Sequence, residues 1–361
     1  MQKTDIKSLT KTQIEGFCEQ LGLKRYRSDQ IFQWLFQKQA RSVADMTNLS
    51  KALRDELDQK IHLTNIDLAG RQESKDGTIK FLFRLHDNHL IEAVLIPEFY
   101  DDGVANRLTV CISSQVGCVF GCAFCATGKM GYFRSLITGE IVDQLQYINK
   151  ISLEKYGKKI NNVVYMGMGE PLHNYDAVIN SARVITDPLS LALSPRRITI
   201  STVGLTKRIR QMGNETLPFN LAISLHAASD EKRDKIMPIN ASMNLKSLRE
   251  ALTYYHKKTG QPVTYEYLLF DEFNDSATDA NLLANIVKWI PSKVNIIMYN
   301  NVAGVELQRA RETRLDNFIR TLRNKDITAT VRRSRGDDID AGCGQLAIRE
   351  GQPKGKSMSV S

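Results

Sequence analysis

No run of about 18 apolar residues occurs anywhere in the 361-residue chain, which excludes a conventional membrane-spanning helix. The opening residues MQKTDIKSLTKTQIEGF also lack the apolar core of a secretory signal, so a cytoplasmic protein is expected. Apolar residues are not depleted: 42% are hydrophobic and 25% charged, which argues against disorder over most of the length. Cysteine is scarce, with six residues at 18, 111, 118, 122, 125 and 343. In a reducing compartment, clustered cysteines point to metal binding or catalysis before structural disulfides.

What is present in excess is positive charge. Lys and Arg total 49 against 40 Asp and Glu, giving +9. Such a balance favours a polyanionic partner, since neutralising phosphates releases counterions. By itself it leaves a merely soluble basic protein equally open.

The chain reads as α/β. Over the first 60 residues the pattern is helical, with Ile31, Phe32, Trp34 and Leu35 spaced behind Ser28 as a plausible N-cap, and a second helix across 49–57. Residues 78–85 and 89–96 alternate like paired strands joined at His86-Asp87-Asn88. From about residue 106, β-rich runs at 108–113, 162–166, 198–202, 220–225, 263–269, 294–298 and 328–331 are separated by helix-compatible stretches such as 139–156 and 245–259. That rhythm predicts parallel strands with crossover helices, in an open or closed barrel or, second, a flavodoxin-like sheet. In a barrel the chemistry sits on loops at the C-terminal ends of the strands. Four segments are expected: a helical domain over 1–60, a β-rich extension over 61–105, the barrel over 106–345 and a disordered tail over 346–361.

The sequence CVFGCAFC at 118–125 directly follows the first barrel strand. Three thiolates so close can wrap one metal centre. A structural zinc site needs four protein ligands, and no fourth cysteine lies nearby. Three suit a cubane cluster with one iron left open to chelate a small molecule. Three core cysteines, or a zinc completed by a distant residue, remain as alternatives, but a glycine-containing loop is a poor place to bury thiols. Phe124 would help exclude water.

Other strand ends carry candidates. MGMGEPL at 166–172 offers glycines that let the backbone approach a ligand closely and Glu170 as an acceptor for an ammonium group, or simply a turn. Ser201, Ser224, Leu225, His226 and Asn300 also fall at strand ends, where a lone His is more often structural. Cys111 lies on the strand feeding the cysteine loop; a buried strand cysteine is often filler. Cys343 is flanked by Gly342 and Gly344, an unlikely setting for core packing.

Taken with YRSDQIFQWL, QESKDGTIKFLF, IEAVLIP, VCISSQVGCVFGCAFCATGKMG, MGMGEPLHNY, SPRRITISTVG, SLHAASDEKRDKIMPIN and RGDDIDAGCGQL, the chain resembles the RlmN/Cfr family of radical-SAM RNA methyltransferases over nearly its whole length. The resemblance implies a partial (β/α)6-type radical-SAM barrel, preceded over 1–60 by a helical accessory domain that binds RNA. It implies a [4Fe–4S] cluster on Cys118, Cys122 and Cys125, and two S-adenosylmethionine molecules per turnover. Gly169, Glu170, Ser201, Ser224, Leu225, His226 and Asn300 would bind S-adenosylmethionine. Cys343 would carry a methyl group, Glu92 would remove the ring proton, and Cys111 would resolve a protein–RNA crosslink, leaving a Cys111–Cys343 disulfide.

The match looks closer to the RlmN branch, which methylates C2 of an adenine in 23S rRNA and of an adenine beside the anticodon in some tRNAs. Pro171 favours that branch over the C8-methylating Cfr branch. A radical-SAM enzyme without RNA, such as a glycyl-radical activase, is the alternative, and a non-catalytic RNA-binding module with a structural metal is a second. The expected partners are 23S rRNA, tRNA and a reductant such as flavodoxin or ferredoxin, with the protein a monomer. Lys24, Arg25, Arg27, Arg332, Arg333 and Arg335 are candidates for the RNA backbone. Two positions depart from the family pattern: Gly342, where Ala is expected, and Ser135, where Asn is expected.

Overall fold

The computed structural model of the chain describes residues 3–346. The expected tail lies outside the described residues apart from Leu346.

Three helices open the chain: α1 (Lys11–Gln20), α2 (Tyr26–Phe36) and α3 (Lys51–Lys60). Thr10 and Gln13 cap α1 reciprocally. The expected N-cap of α2 is wrong by three residues. Arg25 takes that position, and the Ser28 hydroxyl, inside the first turn, donates back to the Arg25 carbonyl. Serine makes this bond as readily as it caps. The N-terminal segment is anchored by Lys7, buried against both carboxylate oxygens of Asp143 at 2.8 Å, with Asn65 as a second partner at 3.0 Å.

The rest is built on one ten-stranded sheet: β1 (Asp67–Glu73), β2 (Ile79–Arg84), β3 (Leu90–Phe99), β4 (Ala105–Cys111), β5 (Asn162–Tyr165), β6 (Ile198–Thr202), β7 (Asn220–Ser224), β8 (Val263–Leu269), β9 (Ser292–Met298) and β10 (Ala329–Arg332). Spatial order follows chain order throughout. β1–β4 pair antiparallel, and β4–β10 pair parallel. Helices α4 (Thr138–Tyr156), α5 (Tyr175–Thr186), α6 (Thr206–Asn214), α7 (Leu245–Thr259), α8 (Ala277–Val287) and α9 (Glu312–Arg323) lie between or beside the parallel strands. A doubly wound sheet would reverse its order midway; sequential order rules out the flavodoxin-like alternative.

The sheet curls. Residues of β4 (Arg107, Thr109, Cys111) and of β10 (Thr330, Val331, Arg332) line one cavity of about 450 Å3, although five strands separate them in the sheet. The two strands do not pair, so the barrel stays open along that seam. The extension β1–β3 continues the sheet past β4 as an antiparallel edge.

Candidate active site

The cysteine loop springs from a small antiparallel hairpin, Gln115–Gly117 with Tyr132–Ser135, directly after β4. Its neck is closed by two glycines. Gly117 adopts φ +72°, and any side chain there would fall on the Gly131 carbonyl. The Cys118 N–H donates to that same carbonyl at 2.9 Å. Beyond the neck, the Ala123 N–H donates to Ile236 at 2.9 Å and the Ala126 N–H to Gly344 at 2.7 Å, so the loop is pinned on two sides. Arg134 makes a two-pronged bond to the fully buried Glu140 at 2.8 Å and reaches Asp87 at the β2–β3 turn. Ser135, the departure from the expected Asn, accepts from Gln115 at 3.3 Å and so still bridges the hairpin.

Among the described residues, no three His, Cys, Asp or Glu side chains converge as ligands of one metal ion. The three thiols are instead neighbours that feel one another's charge. Burial pushes Cys122 well above the usual thiol value, with Cys118 and Cys125 adding to it. Burial likewise pushes Cys118 up to about 12, with Cys125 adding to it. Three thiols fit a cluster with one iron left open better than a structural zinc, which takes four protein ligands. Phe124 is buried, packing edge-on against His226 at 4.9 Å and tilted against Phe270 at 5.8 Å.

Around the loop the strand ends converge. Ser201 and Ser224 stand side by side, their hydroxyls 3.2 Å apart. Asn300 lies two residues past the end of β9, 3% exposed, and neither atom of its amide has a hydrogen-bond partner. Burying an amide without partners costs about 1–3 kcal/mol. The orphaned amide therefore suits a ligand with both a donor and an acceptor, which the amino-acid end of S-adenosylmethionine provides. Gly342 covers it closely; a Cβ there would fall on the Asn300 amide, so the expected Ala would require Asn300 to rotate.

Other predicted residues are more tightly tied into the protein. Gly167 and Gly169 are explained by packing: the space of their missing side chains is filled by Ile112 and Gln115. The Glu170 carboxylate already accepts from the Leu172 and Val203 amides at 3.1 and 2.9 Å, and burial pushes it up to about 7. Leu225 is buried, and its carbonyl receives Arg233. In His226, Nδ1 accepts from the Leu268 amide at 3.1 Å, which leaves the ring proton on Nε2 in the neutral form.

Cys111 and Cys343 line the same cavity, together with Glu266, Arg107 and Arg332. Burial pushes Cys343 up to about 11, with Glu266 adding and Arg332 opposing; burial also drives Cys111 far up, with Cys343 contributing. Cys343 is exposed, and it lines this cavity. Its loop is fastened at both ends. The Gly336 N–H donates to Asp76 at 2.9 Å and the Lys75 N–H to Asp338 at 3.3 Å, at the β1–β2 turn. On the far side Thr127 donates to the Leu346 carbonyl at 2.5 Å, and Gly344 lies against Phe124 and Cys125. Glu92 shares the face of β3 that brings Ile96 and Glu98 to the cavity, and pairs with Lys80 at 3.3 Å. Lys80 also reaches the Asp340 carbonyl at 3.5 Å.

Sequence reasoning gave no role to Arg233, Lys80, Gln115 or Glu266. Arg233 is fully buried and donates to Val203, Leu225, Asn240 and Met243, with Cys122 close enough to respond to its charge. It lies inside the quoted stretch SLHAASDEKRDKIMPIN, but a lone Arg between acidic residues reads as a solvated helix face.

Comparison with known proteins places this architecture. Residues 4–63 match the family model "Ribosomal RNA large subunit methyltransferase N-terminal domain", and residues 112–282 match that of the radical SAM superfamily. The probable dual-specificity RNA methyltransferase RlmN of Salinibacter ruber is 47% identical over 96% of this chain and 94% of its own length. The dual-specificity RNA methyltransferase RlmN of Geotalea uraniireducens is 42% identical over 97% and 98%. The crystal structure of a radical SAM methyltransferase from Sphaerobacter thermophilus superposes with a TM-score of 0.86 at 40% identity, covering 95% of this chain and 99% of that one. The chain belongs to the RlmN family of dual-specificity RNA methyltransferases, within the radical SAM superfamily.

Proposed function

We propose that this protein methylates C2 of a specific adenine in 23S rRNA, and of an adenine beside the anticodon in some tRNAs, by way of an S-methylcysteine on Cys343. The observation that carries the reading is that Cys111 and Cys343 line one cavity beside the cysteine loop. A radical-SAM enzyme without RNA would have no use for that pair.

Cys118, Cys122 and Cys125 would hold a [4Fe–4S] cluster, with Ser201, Ser224, Leu225, His226, Asn300 and the Gly169–Glu170 turn around the S-adenosylmethionine. Bound there, the cluster and two S-adenosylmethionine molecules per turnover supply a methyl group and the radical that activates it. The ring carbon at C2 is electron-poor, so radical addition suits it where a polar methyl transfer does not.

Cys343, as thiolate, takes the methyl group from one S-adenosylmethionine, and S-adenosylhomocysteine leaves. Once the methyl carbon has lost a hydrogen atom to that radical it bonds to C2, joining Cys343 to the RNA, and the one electron released would pass to the cluster that Cys118, Cys122 and Cys125 would hold. Glu92 accepts the ring proton. The Cys111 thiolate attacks the Cys343 sulfur, the sulfur–carbon bond breaks toward carbon, and that carbon takes up a proton to become the methyl group. A Cys111–Cys343 disulfide remains, and two electrons from a reductant such as flavodoxin or ferredoxin restore both thiols. The target base reaches this site only when unstacked. The protein works as a cytoplasmic monomer in this scheme.

The test is a pair of variants assayed anaerobically with mass spectrometry that resolves the C2 and C8 isomers. Cys343→Ala should form no methyladenine. Cys111→Ala should leave RNA covalently attached to protein. Free methylated RNA from Cys111→Ala at the normal rate would sink the scheme.

A further inference from the structure

The arginines at the end of β10 belong to a second concavity. A groove of about 740 Å3 runs between β10 and α9, lined by Arg320, Arg323, Arg333 and Arg335, with Val331 in its wall. Val331, Arg333 and Arg335 also line the cavity that contains Cys111 and Cys343. The groove and the active-site cavity are therefore contiguous. They meet at the unpaired edge of the sheet, where β10 has neighbour β9 on one side only.

We propose that this groove holds the phosphate backbone of the RNA strand flanking the target adenine while the base enters the cavity. The inference rests on RNA being the substrate, as proposed above. Arg320 and Arg323 are exposed on the last turn of α9, three residues apart, and so are neighbours about 5–6 Å from each other on one helix face. Among the described residues no carboxylate pairs with Arg320, Arg323 or Arg335; Arg333 alone is paired, with Glu312 at 3.1 Å. The groove's other acid is Asp316. Four guanidiniums against two carboxylates, three of them without a counter-charge, suit a polyanion. Val331, 37% exposed, adds an apolar surface of the kind that unstacked bases meet.

The groove also connects to the chemistry. Arg333 and Arg335 begin the segment that is fastened at Gly336 by Asp76 and ends on Cys343. A strand held at these arginines is held by the same stretch of chain that presents the methyl carrier.

The test uses the reconstituted holoenzyme and an unmodified 23S rRNA transcript, with Kd read by fluorescence anisotropy across a salt series. The double variant Arg320→Ala/Arg323→Ala should bind about tenfold more weakly or worse, and the slope of log K against log salt should become shallower by about 1.4, the share of two phosphates on single-stranded RNA. A control pair on an exposed face of α7, Lys246→Ala/Lys257→Ala, should change Kd less than twofold. Circular dichroism melting checks that each variant is folded. If the double variant unfolds, Arg320→Gln/Arg323→Gln gives the same reading. A Kd within twofold of the parent with an unchanged slope would overturn the groove, as would an equal loss from the control pair. A parent enzyme that binds no RNA would instead overturn the substrate reading itself.

Discussion

At the residue scale the site is a set of groups whose ordinary chemistry is altered by burial. His226 is the clearest. Burial, and then the charge of Arg233, push its imidazole down to about 3. A depressed base favours the neutral ring in the folded protein. Its contribution to stability is whole above 6.5, the usual value, and is drawn down as pH falls from there toward 3. The 13Cε1 shift of His226 should therefore be flat between pH 5 and 8; a midpoint near 6.5 would contradict the burial. The cysteine loop could be read from sequence because three thiolates without a fourth ligand leave few chemical meanings. Cys343 could be read because glycines flank it. Arg233 could not, since nothing in DEKRDK says which cation turns inward. The glycines of MGMGEPL were read as close-approach positions for a ligand, but what lies against Gly167 and Gly169 is Ile112 and Gln115, and sequence does not name that partner.

At the element scale, the seven parallel strands were legible because buried β-branched runs separated by amphipathic stretches have few other foldings. The β2–β3 hairpin was legible for a related reason, its strands alternating about a polar turn. β1 was not: its residues DLAGRQE are exposed almost throughout and carry no alternation. Nor did spacing show that the extension continues the barrel's own sheet, because pairing across β3 and β4 is a tertiary fact. That continuity has a use. The β1–β2 turn supplies Asp76, whose carboxylate accepts from the Thr78 and Gly336 amides at 2.9 Å each. Asp76→Ala should free the Cys343 loop at a local cost of about 1–2 kcal/mol. Amide hydrogen exchange across residues 334–346 should quicken by about tenfold while β5–β9 keep their protection. Unchanged exchange there would mean that Thr127 and Gly344 hold the loop unaided.

At the scale of the whole molecule, a sheet that curls without closing leaves a seam between β4 and β10, and the seam is where the two lone cysteines meet. Cys111 comes from the first parallel strand and Cys343 from the segment after the last, 232 positions apart in sequence. The fold brings them to one cavity, and the cysteine loop reaches the same place through Gly344. The account's central claim is that the methyl group passes through Cys343. It is tested most directly by a label. The reconstituted enzyme is loaded with S-adenosylmethionine bearing a CD3 group, freed of excess, and then given unlabelled S-adenosylmethionine, reductant and RNA for a single turnover. The account predicts that the first methyladenine released carries a CHD2 group, two deuterons having come from the protein. A first product carrying only CH3 would contradict it.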